Sequence, residues 1–178
     1  KTHFANEVPR FVRQAMAEYG ALTGRFYSPV RSFLADDADH VIVGLGSVTD
    51  DVEAVASYLR GQGKKVGVVS IKLLHPFPEG DVVAALAGKK AVTVLERSDV
   101  TALTNLVTQA LFKARENGDL IRHQGIPPIN SLPKMSTGIF GLGAHDLQPR
   151  HLIAAFKNMD GALNVPFFYL GSQRSEER

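Results

Sequence analysis

The sequence predicts an α/β fold, an open, mostly parallel sheet with helices on both faces, and three observations carry that expectation. Short runs of β-branched and other apolar residues recur from His40 onward, as expected of strands buried on both sides. Between them, apolar residues return at three- and four-residue spacing, the period of a helix packed along one stripe. Glycine or proline stands at most of the changeovers. Strand, helix, strand, helix at these intervals is the pattern of right-handed βαβ crossovers.

The elements follow in order. Val8, Phe11, Val12, Ala15, Met16 and Tyr19 make an amphipathic helix, with Asn6 as its N-cap, Pro9 in its first turn and Gly20 as its end. Residues 21 to 39 show no sustained period and read as a connecting segment. Val41-Ile42-Val43 is the first strand, and Gly44-Leu45-Gly46-Ser47 turns the chain. Thr49 then caps a helix with Asp50 and Asp51 at the positive end of its dipole, and Gly61 and Gly63 stop it. Val66 to Leu74 is a second strand, broken by His75-Pro76-Phe77-Pro78; Val82 to Leu86 is a short helix closed by Gly88. Ala91 to Glu96 is a third strand. Ala102 to Ala114 keeps helical spacing for more than three turns and ends at Gly118. The stretch 119–146 is rich in glycine and proline, with a short strand expected at Ile129 to Leu132. Pro149 opens a helix through Leu152, Ile153, Phe156 and Met159, and Val165 to Leu170 is the last strand. The reading divides the chain into an N-terminal helix and connecting segment (1–39), an α/β domain (40–171) and a polar tail (172–178).

At 178 residues the chain can bury roughly two-thirds of its unfolded surface in one core and needs no covalent staples. It has no cysteine, which excludes disulfides, Cys-ligated iron–sulfur clusters and a thiol nucleophile within these residues; a cytoplasmic setting is the expectation. A formal net charge of +2, without a basic patch interleaved with aromatics, points away from nucleic acid. No apolar run has the length of a membrane span. The pairs Lys64-Lys65 and Lys89-Lys90 read as solvated turn residues. The chain opens on Lys1, so it is expected to be a piece of something longer.

Few motifs carry chemistry. A strand feeding Gly44, Gly46, Ser47 and Thr49 into a helix can cradle a phosphate on free N–H groups, which makes these four residues the candidate cofactor-binding set. Against it, Thr49 stands where the dinucleotide fingerprint has its third glycine, and Asp50 and Asp51 repel a phosphate. The bland reading is a tight strand-to-helix turn. There is no Walker A string, no Gly-x-Ser-x-Gly elbow, no Gly-Asp-Gly start of a thiamine diphosphate loop and no His pair at zinc-ligand spacing. His145-Asp146 alone is a poor metal site, so no metal ligand and no catalytic residue is assigned. Glu96-Arg97-Ser98-Asp99, at a strand's carboxyl end, is the best polar cluster, with an ion-paired loop as its alternative.

Five strings in fixed order resemble one region of the pyruvate:ferredoxin (flavodoxin) oxidoreductases: Gly24-Arg25-Phe26-Tyr27; Val41 to Ser47; Gly63 to Val69 running into Leu73-Leu74-His75-Pro76-Phe77-Pro78; Val92 to Ser98; and Phe140-Gly141-Leu142 through Phe156-Lys157-Asn158-Met159. The resemblance implies a domain like the C-terminal domain of transketolase. It departs from the family pattern at His75, Glu96, Ile139 and Phe140, and leaves open which 2-oxoacid is used. It implies an assembly that oxidises a 2-oxoacid with thiamine diphosphate, magnesium, iron–sulfur clusters and coenzyme A as co-substrate, and passes electrons to ferredoxin or flavodoxin. Within it this domain is expected to bind none of these groups and to contact other domains or subunits, with His75, Phe77, Glu96 and Arg97 as interface candidates. The alternatives are a module binding a nucleotide or coenzyme A phosphate, and a stand-alone interaction domain.

Overall fold

The computed structural model describes residues 2–161 and 164–171; the expected tail, 172–178, lies outside them. Six strands form one sheet in the order β1-β3-β2-β4-β5-β6: β1 (Val30–Phe33), β2 (His40–Leu45), β3 (Val66–Ile71), β4 (Ala91–Glu96), β5 (Lys134–Ile139) and β6 (Phe167–Tyr169). All pairings are parallel except β1 with β3, in which Val30 lies opposite Ile71. The helices are α1 (Thr2–Thr23), α2 (Val48–Gly61), α3 (Glu79–Leu86), α4 (Ala102–Asp119) and α5 (Pro149–Asp160).

Alternation along the strands builds two cores. Val41, Val43, Val69 and Val94 face α3 and α4, while Ile42, Val68 and Leu95 face α2 and α5. Fully burying each such side chain contributes about 1.5–3 kcal/mol, so β3 and β4, buried at every position, anchor the sheet. The chain reverses direction at β2: β3 is added on one side of it and β4 on the other. That reversal opens a switch point between the carboxyl ends of β2 and β4.

One expectation of handedness fails. α4 and α5 link strands that advance in the same direction across the sheet, yet they lie on opposite faces, so the two crossovers have opposite hands. α5 reaches back over β2 and β4 to pack beside α2.

Several boundaries also differ from the sequence reading. α1 runs from Thr2 to Thr23, so Asn6 is inside the helix and not its N-cap, and Pro9 is an interior residue. The helix passes Gly20 and ends where the Gly24 N–H bonds the Gly20 carbonyl at 2.8 Å, Gly24 having φ +72°. The connecting segment contains β1, whose exposed Arg31 and Ser32 give no alternation to read. β3 stops at Ile71, three residues short of the expected Leu74. No strand forms at 129–132; β5 lies at Lys134–Ile139, where Ser136, Thr137 and Gly138 hide a buried strand behind a polar composition. Their hydroxyls are satisfied internally, Ser136 by Thr93 at 2.7 Å and Thr137 by Thr104 at 3.2 Å. Of the lysine pairs, Lys64, Lys65 and Lys90 are exposed in loops as expected; Lys64 pairs with Asp160, Lys90 with Asp39, and Lys89 Nζ donates to the Ala35 and Asp36 carbonyls.

Candidate functional site

In open parallel sheets, ligands gather at the carboxyl ends of strands, at the switch point. Here that place is bounded by the Leu45–Val48 turn after β2 and the Arg97–Thr101 turn after β4, and it contains most of the residues singled out from sequence.

The glycine turn is shaped by packing. A Cβ on Gly44 would lie 3.0 Å from Thr49 Cγ2, so the missing side chain lets the first turn of α2 close onto β2. Gly46, at φ +81°, takes the left-handed conformation that reverses the chain. Ser47, not Thr49, is the N-cap position of α2, and its side chain makes no capping bond. Thr49 is the second residue of α2 and is buried; its hydroxyl bonds the Gly46 carbonyl at 2.8 Å and meets the Ser70 hydroxyl at 2.9 Å. Its N–H also bonds the Gly46 carbonyl, at 3.2 Å. The Thr49 N–H and hydroxyl are therefore committed within the turn, and the exposed Asp50 and Asp51 carboxylates flank it. The two carboxylates at the mouth of the turn oppose a diphosphate-bearing group there.

The four interface candidates go to different surroundings. Glu96 is buried, and its Oε1 accepts the Thr104 N–H at 2.6 Å, satisfying a donor in the first turn of α4. Arg97 is exposed and lies against Gly141, where a Cβ would come within 3.2 Å of its Nε. His75 is exposed in the loop after β3. Phe77 is half-buried against the α3/α4 core and also lines a cleft with Pro9 and Arg13 of α1. The rim of the switch point otherwise presents Leu45, Leu74 and Val100 to solvent. Sequence reading passed over these three because single apolar residues in turns carry no motif.

No buried side-chain nitrogen or oxygen among the described residues lacks a hydrogen-bond partner, and no three His, Asp or Glu side chains among them converge as metal ligands. His145 and Asp146 are both exposed. The cavities are elsewhere: one of about 420 Å³ between α2 and α5, lined by Val55, Tyr58, Leu147 and Ile153, and a more polar cleft of about 780 Å³ between α1 and the 76–81 segment. No described helix is long and apolar enough to cross a membrane.

Sheet order, antiparallel edge strand and layered helices define an α/β domain of the transketolase type. A split-gene transketolase, solved as an inactive beta4 tetramer, overlays 76% of this chain and 43% of its own with a TM-score of 0.50 at 24% identity. A 2-oxoglutarate:ferredoxin oxidoreductase from Magnetococcus marinus overlays 81% of this chain and 21% of its own with a TM-score of 0.55, also at 24% identity. Residues 38–125 match the family described as pyruvate:ferredoxin oxidoreductase core domain II, and the chain belongs to that family. The pyruvate synthase subunit PorA of Thermotoga maritima is 30% identical over 141 residues, 79% of this chain. A pyruvate-flavodoxin oxidoreductase of Klebsiella pneumoniae is 32% identical over 168 residues, 94% of this chain. The chain spans only 33% and 14% of the length of these two relatives.

Proposed function

We infer that the chain is a non-catalytic, interface-forming domain of a thiamine diphosphate-dependent 2-oxoacid oxidoreductase that delivers electrons to ferredoxin or flavodoxin. One observation carries this reading: at the switch point, where such a fold would place its chemistry, the buried polar groups are spent on the fold itself. Glu96 holds the start of α4, Thr49 and Ser70 satisfy each other, and Leu45, Leu74 and Val100 face outward. An apolar rim with an exposed arginine suits contact with another protein surface better than capture of a charged oxoacid. Arg97 is the exposed polar member of that contact, with Glu96 buried beneath it, and His75 and Phe77 are proposed to add contacts from the loop after β3.

The test is turnover by the purified 178-residue chain with pyruvate or 2-oxoglutarate, coenzyme A, thiamine diphosphate, magnesium and a redox dye. Background rates are expected. Oxoacid-dependent dye reduction above background, abolished by changing residues of the switch point, would overturn the reading.

A further inference from the structure

Helix α1 has a wide apolar face, and the body of the domain covers only part of it. Pro9 and Arg13 line the cleft against the 76–81 segment, Val12 and Met16 are half-buried, and Gly20 is buried under the Phe26 ring. Arg13 ties the helix to α3 through Asp81 at 2.6 Å. Among the described residues, neither hydrophobic core contains one from α1. On the outer face, Phe11, Ala15, Tyr19 and Leu22 follow at spacings of four, four and three, which places them on one stripe. All four are exposed, Leu22 at 86% and Phe11 at 54%. The chain leaving the helix extends the stripe: Phe26 is 77% exposed, and the exposed Tyr27 ring lies 5.8 Å from that of Tyr19. Arg25, exposed and next to Phe26 in sequence, has no side-chain ion pair among the described residues, unlike Arg10 with Glu7 and Arg13 with Asp81.

Aromatic residues around an arginine are the composition of a binding hot spot, and the uncovered part of an apolar helix face is surface that another protein face can bury. We propose that the outer stripe of α1, from Phe11 to Tyr27, packs against the apolar face of a neighbouring domain of the same oxidoreductase, with a carboxylate of that domain opposite Arg25. This rests on the reading of the chain as an interface-forming domain. The occupant follows from the family and its dimensions: about two-thirds of the Thermotoga maritima subunit and more of the Klebsiella pneumoniae enzyme lie outside the part this chain matches, so the assembly has ample surface to cover a stripe of about three helical turns. The paired charges at Glu7–Arg10 and Arg13–Asp81 leave Arg25 as the one basic group of the stripe that needs a partner charge.

The chain has no cysteine, so Leu22→Cys installs a single thiol whose maleimide labelling rate reports cover at that position. The rate is measured in the isolated chain and, by mass spectrometry of the peptide bearing residue 22, in the intact oxidoreductase. The expected result is labelling slower in the intact enzyme by at least about tenfold, because packed hot-spot residues exclude water. The double variant Leu22→Asp, Arg25→Glu is expected to weaken assembly of the oxidoreductase while leaving the thermal midpoint of the isolated chain unchanged. Equal labelling rates in the two forms overturn the proposal. So does labelling of the isolated chain that slows as its concentration rises, which would make a second copy the occupant. Failure of the functional reading is recorded separately, as oxoacid turnover by the isolated chain.

Discussion

Glu96 at the end of β4 and Thr104 in the first turn of α4 are joined by a 2.6 Å hydrogen bond from the Thr104 N–H to a buried carboxylate oxygen. The bond fixes where α4 starts relative to the sheet, and it places a negative charge at the positive end of that helix. Glu96→Ala leaves the N–H without this partner inside a partly buried turn and is expected to cost about 1–3 kcal/mol. Glu96→Gln keeps an acceptor and should cost less than half as much. Denaturant titration of the two variants checks this; equal losses would show that the carboxylate's packing, not its hydrogen bond, is what matters.

Gly67, in β3, faces the chain reversal that follows β1. A Cβ there would lie 2.6 Å from the Leu34 carbonyl oxygen and 2.7 Å from the Ala35 Cα, both backbone atoms that cannot swing aside. Leu34 itself has φ +50°, a strained conformation that the close approach of the two segments maintains. Gly67→Ala is expected to cost about 1–3 kcal/mol by overpacking, with the loss concentrated at β1. Amide exchange at residues 30–33 should accelerate before that of β2 or β4; uniform acceleration would contradict the local account.

This contact explains what could be read from sequence and what could not. The central strands were legible because burial on both faces demands the continuous apolar runs of β2, β3 and β4, and Ala91–Glu96 was placed to the residue. α5 was legible because Pro149 opens it, and the apolar spacing behind it has a single period. β1 was not, because an edge strand of four residues with Arg31 and Ser32 exposed carries no alternation, and its place is set by Gly67 on another strand. β5 was missed because its polar residues are paid for by Thr93 and Thr104, partners more than thirty residues away. At the site, the glycine turn was located correctly but its purpose depends on Ser70, which no local pattern links to Thr49.

Acid should weaken the amino-terminal edge of the sheet. The Arg60 guanidinium bonds both oxygens of Asp37, at 2.8 and 2.7 Å, and holds that carboxyl below the ordinary aspartate value of 3.8. The Lys90 ammonium, bonded to Asp39 at 3.1 Å, lowers Asp39 in the same way. With folded values depressed, the unfolded chain takes up protons first as pH falls. The contribution is therefore complete above the ordinary aspartate range and is lost as pH drops through the lowered folded values. The double variant Asp37→Asn, Asp39→Asn is expected to be less stable than the parent at neutral pH, and the two thermal midpoints should converge between about pH 5 and pH 2. Midpoints that stay parallel across that range would assign the stability to other carboxylates.

The glycine turn supplies the sharpest test of whether the domain takes up a cofactor. A ligand present at about 100 times its dissociation constant adds about 2.7 kcal/mol to stability, which is large enough to read as a shift in thermal midpoint. Thr49 has its hydroxyl and N–H committed to Gly46 and Ser70, and Asp50 and Asp51 oppose a phosphate at the helix start. Coenzyme A, thiamine diphosphate with magnesium, and NAD are therefore each expected to leave the midpoint of the chain where it was. A saturable upward shift with any of them would revive the phosphate-cradle reading, provided that Gly46→Ala, which strains a position at φ +81°, or Asp50→Asn alters it. In that case the Asp50 change, by removing a repelling charge from the mouth of the turn, should raise the affinity, and a shift indifferent to both changes would place the ligand elsewhere on the surface.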